Sequence, residues 1–152
     1  MKKMQEGIQA ARKNADVVIV SMHAGTEYTH HPNKTQKKFA HAAIDFGTDL
    51  VIGHHPHVVQ SIEQYHGKTI VYSLGNFIFD QMWSQKTREG VVLKATISKT
   101  GVRDIDFVPI LIEDYAQPRS VTGKQAEQIL APLGDYRSLF KRNTKSSLPT
   151  TL

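Results

Sequence analysis

The chain has 152 residues, of which 39% are apolar and 22% charged, and these proportions fit one globular domain. The sequence contains no cysteine, which excludes disulfide scaffolds, iron–sulfur proteins and cysteine nucleophiles, and its longest aliphatic run, residues 17–20, is too short to span a bilayer. The formal net charge is +5, but the basic residues cluster near the two ends without interleaved aromatics, so we expect no nucleic-acid partner.

The N-terminal region is predicted to contain a helix and then a strand. Met4, Ile8 and Ala11 are spaced so that they share one face of a helix that ends near Asn14. Residues 16–22 follow as a nearly continuous apolar run, which is typical of a strand buried on both faces. We therefore expect this strand to have neighbours in the sheet on either side.

A second helix and a second strand complete a βαβ unit. Phe39, Ala43 and Phe46 are spaced to form the buried face of a helix that stops at Gly47. Residues 49–52 then form a short buried strand. Because a strand, a helix and a strand occur within about 37 residues, the two strands are predicted to be parallel and joined by a right-handed crossover.

The second half of the chain has the pattern of antiparallel hairpins. Two pairs of β-rich segments are each separated by a short turn that contains glycine: residues 58–65 with 68–73, and residues 91–98 with 102–112. A helix is expected over residues 123–133, and residues 136–152 are expected to form a basic, disordered tail. The predicted fold class is α/β (α+β), in one domain over residues 1–135, with a parallel βαβ start followed by antiparallel hairpins.

Histidines follow both strands of the βαβ unit. His23 comes directly after the first strand, and His54, His55 and His57 come directly after the second. The carboxyl ends of parallel neighbours meet at one edge of a sheet, where open α/β folds bind ligands. Imidazole is a common ligand of divalent first-row metals, so the pattern predicts a metal site at this edge. The remaining histidines are expected to be ordinary surface residues: His30, His31, His41 and His66.

Three segments of the sequence carry a family resemblance. They are His23-Ala24-Gly25-Thr26-Glu27-Tyr28, then Gly53-His54-His55-Pro56-His57, and finally Ser73-Leu74-Gly75-Asn76-Phe77 with Ile78-Phe79-Asp80-Gln81. In this order they resemble the poly-γ-glutamate capsule synthesis (CapA-like) proteins, a branch of the calcineurin-like metallophosphoesterases. The resemblance extends over about residues 8–115.

The resemblance implies a metallophosphoesterase-like αββα sandwich with a metal site at the edge of a sheet. The lone metal-binding histidine of the family corresponds to His23, and the family's Gly-His-x-His signature makes His55 and His57 the paired ligands. The cofactor implied is a divalent metal (Mn, Zn or Fe), with two ions expected only in a full-length domain.

The resemblance also implies three candidate catalytic residues. His54 becomes a candidate for contact with a phosphate or for a position just outside the metal ligands. Asn76 lies in a segment that the family keeps near the site. Glu27 has three open roles, since it can orient a histidine, contact the substrate or remain a solvated loop carboxylate.

The sequence also departs from the family pattern. Ala24 replaces a tryptophan that is common in the family, and no residue before Asp16 matches the family's N-terminal aspartate, bridging carboxylate or Asn-His pair. We therefore expect residues 1–135 to be the C-terminal part of a longer CapA-like domain, and the chain alone to hydrolyse phosphate esters negligibly. The family resemblance implies a membrane-associated, extracytoplasmic setting, but the sequence itself assigns no location to this chain.

Three functional hypotheses follow from these observations. The first is a CapA-like protein of poly-γ-glutamate synthesis or export with a metallophosphoesterase-type metal site. The second is a non-catalytic binding or assembly subunit, and the third is an inactive remnant that still binds metal or anionic polymer. The expected partners are poly-γ-glutamate or a small phosphate-containing substrate, a capsule-synthesis complex and a second copy of the chain that covers the unpaired edge of residues 17–20.

Overall fold

The computed structural model describes residues 1–140, which form two β-sheets and five α-helices. The helices are α1 (Lys2–Arg12), α2 (Lys34–Asp45), α3 (Gln85–Arg88), α4 (Gly123–Leu130) and α5 (Tyr136–Phe140), with a 3₁₀ turn at Ala131–Leu133. The strands are β1 (Ile19–His23), β2 (Leu50–His54), β3 (Ile62–Tyr65), β4 (Lys68–Val71), β5 (Glu89–Ser98), β6 (Gly101–Glu113) and β7 (Gln117–Ser120).

The first sheet contains the predicted βαβ unit. Its strand order is β1-β2-β4-β3, and β1 and β2 are parallel, with Ile19 paired with Leu50 and His23 paired with His54. The crossover helix α2 begins with a capping box between Asn33 and Gln36, which satisfies backbone donors at the helix start. β3 and β4 form the predicted hairpin. The βαβ unit and the first hairpin are therefore confirmed.

The second sheet is the predicted second hairpin extended by one strand. Its order is β5-β6-β7, all antiparallel. Side chains of both sheets share one core cluster, and the helices at the end of the described chain add to it; this cluster includes Leu50, Val71, Val91, Phe107, Leu111, Ile129 and Tyr136. A second cluster joins α1 and α2 to the other face of the first sheet through Ile8, Ala40, Ala43, Val51 and Ile70. The mixed fold class, α/β (α+β), is confirmed.

The first strand differs from its prediction. It begins at Ile19 and alternates, with Met22 buried while Ile19 and His23 are exposed. The physical reason is that β1, the edge strand, receives no cover from the second sheet. The core cluster that the two sheets share includes Leu50 of β2 and Val71 of β4 but, within residues 1–140, no residue of β1. The prediction that this strand is buried on both faces is wrong. The expectation that a second copy covers this edge stays a prediction.

Two predicted helix faces also need correction. In α1, Ile8 is buried but Ala11 is exposed, and in α2 the side chain of Phe39 is 38% exposed. The face of α2 that meets the sheet instead carries Ala40 and Ala43, both fully buried. All the buried residues of α2 are spaced i, i+4, i+7 and i+8, so the buried face is centred on them and Phe39 lies at its margin: Gln36, Ala40, Ala43 and Ile44.

The predicted tail begins as a helix. Residues 136–140 form α5, and Tyr136 is buried with its ring edge against Phe107, at a centroid distance of 5.0 Å. The prediction of a disordered tail is thus wrong for these five residues, because an aromatic pair anchors them to the core. Residues 141–152 lie outside the described part of the chain. None of the helices between residues 1 and 140 combines the length and apolar character needed to cross a membrane.

Candidate metal centre

The four histidines predicted to form a site lie together at one edge of the first sheet. His23 and His54 end β1 and β2 and are paired in register. His55 and His57 lie in the following loop with φ angles of 100° and 59°, and their ring centroids are 6.0 Å apart. Residues with a Cβ adopt positive φ at a cost of roughly 1–3 kcal/mol, and such backbone is concentrated at functional sites. The loop conformation therefore marks this edge as a candidate site.

Glu27 joins two of these histidines in a group that suits a divalent cation. One oxygen of Glu27 and one nitrogen each of His55 and His57 lie within 4.8 Å of one another, and Glu27 Oε1 is 4.0 Å from His57 Nε2. Donors placed tetrahedrally about 2.1 Å from an ion are roughly 3.4 Å apart, so a small inward movement suffices. Two imidazoles and a carboxylate are donors that zinc, manganese and iron accept. The residues present therefore fit such an ion.

His23 and His54 flank this group. The ring centroids of His23 and His55 are 4.9 Å apart, with the rings tilted by 50°. Burial lowers the pKa of His54, and the charge of neighbouring His23 lowers it further, so the neutral imidazole is favoured. The structure thus brings together the three histidines predicted as ligands: His23, His55 and His57. In the described residues, however, the group whose donor atoms lie within 4.8 Å of one another contains Glu27 and not His23.

Two buried glutamines hold the loop that carries Glu27. Gln36 and Gln60 are fully buried, and Gln36 Nε2 donates to Gln60 Oε1 at 2.8 Å. Gln60 Nε2 also donates to the carbonyl oxygen of Thr29, at 2.7 Å. Because buried amides without partners are costly, this network fixes the loop against the segment that follows His57. The sequence alone does not indicate that these two glutamines meet, since a contact across 24 positions leaves no periodic signal.

Asn76 determines which nitrogen of His57 carries the proton. Its Nδ2 donates to the carbonyl oxygen of Thr87 at 2.9 Å and to Gln81 Oε1 at 3.2 Å, so its Oδ1 faces His57 Nδ1 at 2.9 Å. An amide oxygen can only accept, and His57 Nδ1 must therefore donate. The lone pair of His57 is left on Nε2, the nitrogen nearest Glu27. Asn76 is a positioning residue in this geometry, because metal-binding histidines commonly donate their other N–H to such an acceptor.

Replacing Asn76 is expected to let the proton of neutral His57 occupy either ring nitrogen. In wild type, long-range ¹H–¹⁵N NMR should show the proton of neutral His57 on Nδ1, and Asn76→Ala should show both tautomers. The loss of an outer partner of this kind also weakens metal binding about 10- to 100-fold. Asn14→Ala is the matched control, since that exposed amide donates to a carbonyl within α1. An unchanged His57 spectrum in Asn76→Ala would contradict the assignment.

A cavity of about 550 Å³ opens beside the group formed by Glu27, His55 and His57. With the exception of Glu27, all the predicted site residues line it: His23, His54, His55, His57 and Asn76. Two aromatic rings to which the sequence assigned no role lie against His57, with centroid distances of 5.0 Å for Phe79 and 6.1 Å for Tyr28. Both residues belong to segments that carry the family resemblance, and this was the feature of the sequence that could have pointed to them.

Comparison with known proteins assigns the family. The model of the family described as "Bacterial capsule synthesis protein PGA_cap" matches residues 1–81, a range that contains every predicted site residue. This chain belongs to that family, and the resemblance to CapA-like proteins is confirmed.

Individual relatives agree with this assignment. The chain is 42% identical over 121 residues to the "PGA biosynthesis protein CapA" of Bacillus subtilis. The aligned region covers 80% of this chain and 31% of the relative. It is 35% identical over 148 residues to the "Capsule biosynthesis protein CapA" of Bacillus anthracis, covering 97% of this chain and 34% of the relative. A "Probable polyglutamine synthesis accessory protein" of Mycobacterium tuberculosis is 38% identical over 73 residues, 48% of this chain and 19% of that protein. The chain spans about a third of the length of the two CapA relatives.

Proposed function

We propose that this chain holds a divalent cation for a CapA-like role in poly-γ-glutamate capsule synthesis. The observation that carries the proposal is the convergence of Glu27, His55 and His57, whose donor atoms lie within 4.8 Å of one another. Family membership and the names of the two CapA relatives support the capsule role. Within the described residues, this group of three donors is enough for one ion. A second ion would require carboxylates beyond this group.

The residues around the ion have separate tasks in this proposal. Glu27, His55 and His57 bind the cation, and Glu27 offsets part of its charge. Asn76 keeps the lone pair of His57 on Nε2. His54, on the wall of the same cavity, is the candidate to contact an anionic group of the substrate. A divalent ion bound there supplies polarisation of that group or activation of a water molecule.

Titration with Mn²⁺ or Zn²⁺ tests the metal site. The variant His55→Ala/His57→Ala removes two of the three donors. Loss of a residue that only positions a ligand can lower metal affinity by roughly 100-fold, so we expect loss of two ligands to lower it by at least that factor. His31→Ala/His66→Ala is the matched control, because both histidines are exposed and lie outside the cavity. Isothermal titration calorimetry measures all three proteins. Equal affinity of wild type and the His55/His57 variant would refute the proposal.

A further inference from the structure

The cavity beside the candidate metal centre is lined by two chemically different sets of side chains. The polar set is His23, His54, His55, His57 and Asn76. The other set forms an apolar wall that includes Ile52, Leu74, Phe77, Ile78, Val91 and Leu93. A volume of about 550 Å³ lies within the usual range for small-molecule sites. The cavity therefore has room for a ligand that extends well beyond the group bound at the histidines.

Part of the apolar wall is exposed to solvent. Phe77, Ile78 and Phe79 are 51%, 62% and 40% exposed, although they are consecutive and large. The chain is hydrogen-bonded on either side of these residues, since Val91 N donates to Leu74 O at 2.9 Å and Thr87 Oγ1 donates to Gln81 O at 2.7 Å. A contiguous exposed apolar patch is a common mark of a binding surface. The patch begins one residue after Asn76, the residue that positions His57.

The composition of the cavity wall favours one class of ligand over another. Among the described residues that line the cavity, none is Lys, Arg, Asp or Glu. A polyanion with one carboxylate on every unit would have to place several carboxylates against this apolar wall without a counter-charge, which is costly. A ligand with one anionic group and an apolar body suits both the polar residues and the apolar wall of the cavity.

We infer that the cavity binds a small amphiphile with a single anionic head, rather than the capsule polymer itself. The head lies at the metal centre formed by Glu27, His55 and His57, and the apolar body lies against Phe77 and Ile78. The position of the head rests on the proposed function, whereas the position of the body rests on the cavity wall alone.

A series of alkylphosphonates tests this inference by calorimetry on the Mn²⁺-loaded protein. Each methylene that the wall covers is expected to raise affinity about fourfold, so octylphosphonate binds roughly 200-fold more tightly than butylphosphonate if all four additional methylenes are covered. Phe77→Ser/Ile78→Ser should remove this dependence on chain length and leave the affinity for methylphosphonate unchanged. Phe39→Ser/Ile97→Ser is the matched control, with side chains 38% and 49% exposed outside the cavity.

Several results would overturn the inference. They are equal affinities across the series in wild type, an unaltered dependence on chain length in the folded Phe77/Ile78 variant, and tighter binding of tri-γ-glutamate than of octylphosphonate. If that variant does not fold, Val92→Phe narrows the same cavity and is expected to weaken octylphosphonate more than methylphosphonate. Mn²⁺ binding without phosphonate is measured separately, so failure of the metal site is distinguished from failure of the apolar wall.

Discussion

Gly53→Ala is expected to destabilise the fold by about 3 kcal/mol or more. A Cβ at this position would lie 2.0 Å from the carbonyl oxygen of Tyr72 and 3.0 Å from that of Val71. Both atoms belong to the backbone of the neighbouring chain segment, so no side-chain rotation relieves the clash. Gly53 is the fourth residue of β2 and directly precedes His54, and the strain therefore falls on the strand that presents the candidate site.

Urea unfolding followed by circular dichroism measures this effect. Gly7→Ala is the matched control, because Gly7 lies within α1 and the methyl group of an alanine there would have open space for 4 Å around it. Alanine favours a helix interior by roughly 0.5–1 kcal/mol over glycine, so this variant is expected to be slightly more stable than wild type. Coincident unfolding curves for the two variants would show that Tyr72 does not approach Gly53 this closely.

Asp49→Ala is expected to cost about 2–3 kcal/mol. The Asp49 carboxylate is 6% exposed and accepts hydrogen bonds from Arg12, from Lys68 Nζ at 2.7 Å and from the backbone amide of Val18 at 2.9 Å. It thereby ties α1 and β4 to the segment before β1. Its removal leaves the Val18 amide unpaired and two cations without a counter-charge. The cations are more than a third exposed, and solvent screening keeps the cost below that of a fully buried pair.

The contribution of Asp49 also depends on pH. Burial alone raises the pKa of Asp49, but the hydrogen bonds from Lys68, the Val18 amide and Arg12 outweigh it and hold the pKa below its ordinary value. The stabilisation is therefore fully present above the unfolded pKa of about 3.9 and is lost as pH falls through the lower folded value.

Comparison of urea midpoints at pH 7 and pH 3 measures this dependence. The advantage of wild type over Asp49→Asn should shrink at the lower pH. Asp106→Ala, at an exposed position on β6, is the control and should stay within about 0.5 kcal/mol of wild type. An advantage of the same size at both pH values would contradict the role of the ionised carboxylate.

Local patterns were sufficient to predict the parts of the fold that depend on short windows of sequence. The strand–helix–strand rhythm predicted the parallel pairing of β1 and β2, and this pairing alone places His23 beside His54. The His66-Gly67 turn predicted the β3–β4 hairpin, and both residues adopt the positive φ that such a turn requires. Parallel strands end at the same edge, so the connectivity predicted where the candidate histidines would gather.

The tertiary structure decided which residues meet within that site. Glu27 had three open roles in sequence, and only the folded loop places its carboxylate 4.0 Å from His57. The hydrogen bond from His57 to Asn76 spans 19 positions, and that between Gln36 and Gln60 spans 24. Periodicity reports which face of an element is apolar, but contacts between distant loops depend on how those elements pack. The exposed face of β1 could not be predicted for the same reason. The residues of a strand do not specify whether another element of the fold packs over it.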